Sequence, residues 1–211
     1  MLDLQSLRYQ PATAASPVLR DVSLRLPDGE LHLVAGRSGG GKTTLLELIS
    51  GLAEPQAGRI LWNNQPVTAR ERRWLCGLVF QFPERHFLGL SVGQELRLGQ
   101  RRHDSQRIAA VLEQVGLAGT SWQDPPERLS GGQQRRLALA VQLLRDPKVL
   151  LLDEPTAGLD WQVREEVLGM LQRLKGTRAM LVVTHEPELF SCMADRRWDL
   201  DQGQLVTCVT T

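Results

Sequence analysis

Residues 36–44 read GRSGGGKTT, and Gly36-Arg37-Ser38-Gly39-Gly40-Gly41-Lys42-Thr43 fits G-x-x-x-x-G-K-[ST], with Thr44 following. Glycines at this density let the backbone wrap an anion with successive N–H groups turned inward. The lysine of such a loop reaches the β- and γ-phosphates of a nucleotide, and the next hydroxyl can hold Mg²⁺. The plain alternative is a flexible glycine loop. The context favours the cradle, because an apolar strand pattern precedes it and a buried-helix pattern, LLELISG, follows it.

A second anion-site pattern lies at 129–140, LSGGQQRRLALA. Ser130, Gly131 and Gly132 lead into a helical stretch with Gln133, and a helix N-terminus offers free N–H groups and positive dipole. No lysine stands beside these glycines to complete a cradle.

Further chemistry stands at the ends of apolar runs. Asp153 and Glu154 end VLLLDE (149–154), His185 ends AMLVVTH (179–185), and Gln81 ends CGLVFQ (76–81). Ligand sites on open parallel sheets lie at the carboxyl ends of the strands. An aspartate there can hold Mg²⁺, and a neighbouring glutamate can act as base toward water. Each residue alone also has a structural reading, as a strand-end acid, a satisfied histidine or a polar cap. Convergence on one crevice turns them toward function.

The elements needed to position these groups follow from periodicity. LDLQSLRY (2–9) and VLRDVSLRL (18–26) alternate as half-buried strands, and PDGE (27–30) followed by LHLVAG (31–36) predicts a hairpin. GRILWNN (58–64) reads as a short strand and turn. Ile108, Val111, Leu112 and Val115 share one face of a helix over 105–117. Helices are predicted at 133–145, buried, and at 161–176, amphipathic. The runs at 149–154 and 179–185 read as central parallel strands, and 198–209 as a final hairpin. The result is an α/β chain whose strand signal fades from 83 to 145.

Bulk properties narrow the function. With 25 basic and 24 acidic residues and a net charge of +1, no basic surface points to nucleic acid. The arginines Arg70, Arg72, Arg73, Arg101 and Arg102 lack interleaved aromatics and read as solvated faces. Cys76, Cys192 and Cys208 show neither metal-ligand nor disulfide-framework spacing and read as small buried or half-buried hydrophobes. The N-terminus carries no signal pattern, and no run of about eighteen apolar residues spans a bilayer. Membrane contact is expected only through a partner.

Taken in order, GRSGGGKTT, Gln81, LSGGQ (129–133), VLLLDE, AGLD (157–160) and His185 resemble the nucleotide-binding domain of ABC ATPases, over nearly the whole chain. The resemblance implies a P-loop NTPase fold. A RecA-like core and an N-terminal antiparallel β subdomain would cover about 1–82 and 146–211, with a helical subdomain inserted at about 83–145. It implies ATP and Mg²⁺ as ligands, with Lys42 on the phosphates and Thr43, Asp153 and Gln81 on the metal. Glu154 would polarise the attacking water, and His185 would contact the γ-phosphate. Tyr9, the one tyrosine, would stack on adenine; packing within a strand is its other reading. Ser130, Gly131, Gly132 and Gln133 would close the cradle of a second subunit, which accounts for the missing lysine, and Asp160 would link the two sites. An ATP-dependent homodimer, or a heterodimer with a related ATPase, follows.

VFQFPER (79–85) and LSGGQQRRLALA further resemble the energy-coupling factor and cobalt-type importers. That group implies a transmembrane T component as partner, a place at the cytoplasmic face of the membrane, and a vitamin or metal ion as cargo. Glu84 then reads either as a loop acid in solvent or as the acid that receives arginines of the membrane partner. Because the sequence stops near Thr211, weak self-association without ATP is expected. Two alternatives stay open: the ATPase of a small haem or lipoprotein exporter, and a non-transport ABC ATPase such as a cluster-assembly factor.

Overall fold

The computed structural model describes residues 1–98 and 104–208, the last without its side chain, so Arg101, Arg102 and the Cys208 thiol lie outside the described residues. In chain order the strands and helices are β1 (Leu2–Tyr9), β2 (Leu19–Leu26), β3 (Leu31–Ala35), α1 (Lys42–Ser50), β4 (Ala57–Trp62), β5 (Gln65–Pro66), α2 (Ala69–Leu75), β6 (Cys76–Val79), α3 (Val92–Glu95), α4 (Ser105–Gln114), α5 (Gly131–Leu144), β7 (Val149–Asp153), α6 (Trp161–Leu174), β8 (Ala179–Thr184), β9 (Arg196–Asp201) and β10 (Gln204–Cys208).

They form two sheets, in the orders β2-β1-β4-β5 and β10-β9-β3-β8-β7-β6. The first is antiparallel at every described pairing. In the second, β8 pairs parallel with β3 and β7, and β9 joins β3 parallel before turning back into β10. Strands β3, β7 and β8 are buried at every position. Burial on both faces is why their sequences are continuous apolar runs rather than alternations.

The expected hairpin of 18–26 with 31–36 does not form. β2 pairs with β1, whereas β3 lies between β8 and β9 in the other sheet. The Pro27–Glu30 turn passes the chain between sheets. The hairpin of β9 and β10 does form, around Gln202 and Gly203 with φ of 47° and 80°. Both central residues left-handed is the type I′ turn that matches strand twist.

Contacts divide the described chain into two compact units. One holds Met1–Leu78, Lys148–Glu154 and the chain from Leu174 onward. Its core is aliphatic, with Leu2, Leu4, Leu7, Leu24, Leu45, Ile49, Leu151 and Val183 among the buried members. The other holds Val79–Pro147 and Pro155–Arg173, and therefore α6 with the helical segment. There α4 packs on α5, with Ile108, Val111, Leu112 and Val115 buried from one side and Leu137, Ala140 and Leu144 from the other.

Two surface expectations change. Arg72 is buried, not solvated; its guanidinium donates to Val67 O at 2.9 Å and pairs with Glu54 Oε2 at 2.8 Å. A chain carbonyl and a carboxylate within reach of one fork make that burial tolerable. Arg70 and Arg73 are exposed as expected. Cys192 is exposed, while Cys76 is buried.

Candidate active site

The glycine loop leaves the end of β3 and enters α1 through Gly41, which has φ 97°. A side chain at Gly41 would be strained there, and its Cβ would come 2.9 Å from Val18 Cγ1. Val18 N in turn donates to Tyr9 O at 2.9 Å, so the half-buried Tyr9 ends β1 in the same neighbourhood as the loop. No side chain caps α1 and no acid stands in its first turn. Its N-terminal donors are therefore left for an anion. Arg37, Ser38 and Gly39 are exposed on the loop, with Gly36 and Gly40 half-buried and Thr44 behind them on α1.

Lys42 is buried inside its own loop. Its Nζ donates to Gly36 O at 2.8 Å and Arg37 O at 3.2 Å, and lies 3.3 Å from Glu154 Oε1. Beside it, Thr43 Oγ1 donates to Asp153 Oδ2 at 2.7 Å. Asp153 ends β7, so the sheet delivers the carboxylate to the first turn of α1. Burial pushes the Asp153 carboxyl up, with Glu154 adding to the rise and Thr43 and Lys42 opposing it.

Glu154 has a left-handed backbone, φ 47°, an unfavourable state for a residue with a Cβ. Its N–H donates to Val183 O at 2.9 Å. Its Oε2 meets Thr184 Oγ1 at 2.9 Å, the His185 N–H at 3.2 Å and His185 Nδ1 at 2.9 Å. Burial raises the Glu154 carboxyl, but the bonds from His185 and Thr184, with Lys42, outweigh it and hold the group below its usual range. The carboxylate is thus kept ionised at the end of β8.

Thr184 is the residue of this cluster that sequence reading passed over. It is fully buried, and its hydroxyl also accepts from Glu186 N at 3.0 Å. Its place at the end of β8, between Val183 and His185, was the available signal.

Hence Lys42, Thr43, Asp153, Glu154 and His185 come together in one unit. Gln81, Ser130, Gly131, Gly132, Gln133 and Asp160 belong to the other. There Ser130 and Gln133 form a capping box on α5: Ser130 Oγ accepts from Gln133 N, and Gln133 Oε1 from Ser130 N at 2.9 Å. Gly131 is open, whereas a Cβ on Gly132 would land on Val163 Cγ1 of α6. Asp160 Oδ1 accepts from Val163 N at 3.0 Å and caps α6.

Whether Mg²⁺ suits the first cluster can be judged from its donors. Among the described residues no group of three or more His, Cys, Asp and Glu gathers as a metal cage. A hydroxyl and a carboxylate in contact beside a phosphate loop are the hard-oxygen set of a cation held mainly by phosphates and water. The residues fit the ion.

A strand, a glycine loop closing on a buried lysine, a helix and a strand-end Asp-Glu pair define a P-loop nucleoside triphosphatase. The ABC transporter family model matches residues 19–157, and the chain belongs to that family as an ATP-binding, ATP-hydrolysing subunit. It is 38% identical over 210 residues to the energy-coupling factor transporter ATP-binding protein EcfA2 of Symbiobacterium thermophilum, covering 93% of this chain and 73% of that one. It is 35% identical to ABC transporter I family member 11, chloroplastic, of Arabidopsis thaliana, over 96% of this chain and 78% of the relative. The solved structure of cbiO1 from Clostridium perfringens, part of the ABC transporter complex cbiONQ, superposes with TM-score 0.85 at 29% identity. That match covers 97% of this chain and 86% of the other. An ATP-bound bacterial Atm1-family exporter, TM-score 0.84 at 24% identity over 97% of this chain and 38% of its own, shares the fold.

Proposed function

We propose that this chain is one ATPase subunit of an energy-coupling factor type importer whose cargo is a vitamin or metal ion. The similarity to EcfA2 over most of that protein's length carries the reading. The Phe-Pro-Glu that follows Gln81 supports it. Among the described residues no helix is long and apolar enough to cross a membrane, so a T-component-like permease subunit supplies the membrane contact.

In this reading Tyr9 stacks on adenine, and residues Gly36 to Thr44 hold the phosphates. Lys42 exchanges its loop carbonyls for phosphate oxygens. Thr43 and, through water, Asp153 would hold Mg²⁺, which would supply charge neutralisation on the phosphates; Gln81 keeps the metal-side role that the resemblance gives it. Glu154 takes a proton from the attacking water, with its carboxylate aimed by Thr184 and His185. His185 faces the γ-phosphate. Ser130 to Gln133 of a second subunit, the same chain or a related ATPase, completes each site, and Asp160 links the two. Residues 83–145 act as the inserted helical subdomain. Catalysis is positioning and electrostatics.

The test is co-purification. The Glu154→Gln chain is tagged, trapped with ATP in its host and extracted gently from membranes. A small membrane protein, with or without a second ATPase, is expected. A larger permease would move the reading to an exporter, and soluble partners alone would remove the transport role.

A further inference from the structure

The helix that follows LSGGQ carries a buried arginine for which none of the motif roles accounts. Arg135 stands in the second turn of α5 at 7% exposure. Its Nη1 donates to Pro155 O at 2.8 Å and Ala157 O at 3.0 Å, and its Nη2 donates to Gln81 O at 2.8 Å. All four residues lie in the same compact unit. The three carbonyls come from two motif segments far apart in sequence. Gln81 follows β6, and Pro155 to Ala157 runs from Glu154 into the first residue of the AGLD stretch.

Such a cluster is costly unless it does something. A guanidinium has no acceptor capacity and five donors in a fixed plane, so it can hold several carbonyls in one geometry only if they stay put. Burial works against its charge here, and the Glu84 carboxylate works for it. A leucine would fill the space without burying a charge, and a lysine would bury a more strongly hydrated one, but neither could hold the carbonyls in a plane.

We propose that Arg135 is a positioning residue that locks the Gln81 backbone, the Pro155–Ala157 peptide and the start of the LSGGQ helix into one moving part. A displacement at Gln81 then shifts the Ser130–Gln133 end of α5 and the peptide leading to Asp160 together. This inference rests on the site roles proposed above for those segments. It adds a residue that touches no nucleotide, yet makes their motions concerted.

Two readouts on Arg135→Lys and Arg135→Gln test it. The first, hydrogen exchange by mass spectrometry on the nucleotide-free chain, needs no activity. Faster exchange is expected in peptides covering 79–85 and 155–160, with the sheet strands β3, β7 and β8 unchanged. The second is steady-state ATP hydrolysis with equilibrium ATP binding. A kcat lower by about tenfold or more is expected, with ATP affinity within about twofold of the parent. Arg135→Lys keeps the charge and volume and carries the test if Arg135→Gln fails to fold. The proposal is overturned if exchange in either segment is unchanged in Arg135→Lys, if kcat is preserved, or if kcat and affinity fall together. A Glu154→Gln chain that retains the parental rate would instead remove the base assignment and leave the exchange result standing.

Discussion

Nδ1 of His185 lies 2.9 Å from Oε2 of Glu154, on the oxygen that also receives the Thr184 hydroxyl. The carboxylate therefore faces the end of β8 through one oxygen and Lys42 through the other. Under the proposed function, a base fixed at both ends presents one geometry to water, and the contact holds the imidazole in orientation.

Thr184→Val removes one donor from this oxygen. Folding stability is expected to fall by about 1–3 kcal/mol, measured by urea unfolding at neutral pH. The pH dependence has a sign. Glu154 is held below its ordinary value, so its contribution is present above that value and is lost as pH falls through the lowered one. In Thr184→Val that acid-side loss moves to higher pH. Asp153 is raised, chiefly by burial, and acts oppositely: stability declines as pH rises from its ordinary value to the raised one. Asp153→Asn should abolish this second slope and keep the first.

The glycines at 131 and 132 separate by role. Gly132→Ala drives a methyl into Val163 and is expected to cost about 1–3 kcal/mol in stability. Gly131→Ala meets nothing within 4 Å and should leave the melting temperature unchanged. Under the proposed function it nonetheless obstructs the phosphate of the second subunit, so ATP-driven pairing of the Glu154→Gln form should weaken. Light scattering with and without ATP measures this; pairing unaffected in Gly131→Ala would contradict that role.

Arg72→Ala leaves Val67 O without this donor and Glu54 without its partner. A loss of about 1–3 kcal/mol is expected, against no measurable change for the exposed Arg70→Ala. Denaturant midpoints compare the two directly.

Thr43→Val removes the hydroxyl that reaches Asp153 Oδ2. Under the proposed function, hydrolysis should fall by about a hundredfold and need a higher Mg²⁺ concentration to reach its half-maximal rate, while the fold is retained. A Mg²⁺ titration of the variant checks this.

Much of this was legible in the sequence. The loop at 36–44 and the runs ending at Asp153 and His185 were readable because parallel strands buried on both faces must be apolar throughout. The β2–β3 pairing was misread because Pro27–Glu30 looks like a hairpin turn, and local turn chemistry does not say which sheet a strand joins. β3 is buried at all five positions, including His32, whose polarity imitates alternation. Helix α2 was passed over because ARERRWL shows no apolar stripe. Its signal was the capping box of Thr68 and Glu71. Thr184, Arg72 and Arg135 act through partners that only folding brings near, so their types alone could not reveal them.

The most direct measurement is ATP hydrolysis by Glu154→Gln beside the parent, with ATP binding measured on both. The account expects bound ATP in each, and a rate at least about a hundredfold lower in the variant. Hydrolysis at the parental rate with ATP bound would contradict the assignment of Glu154 as the base.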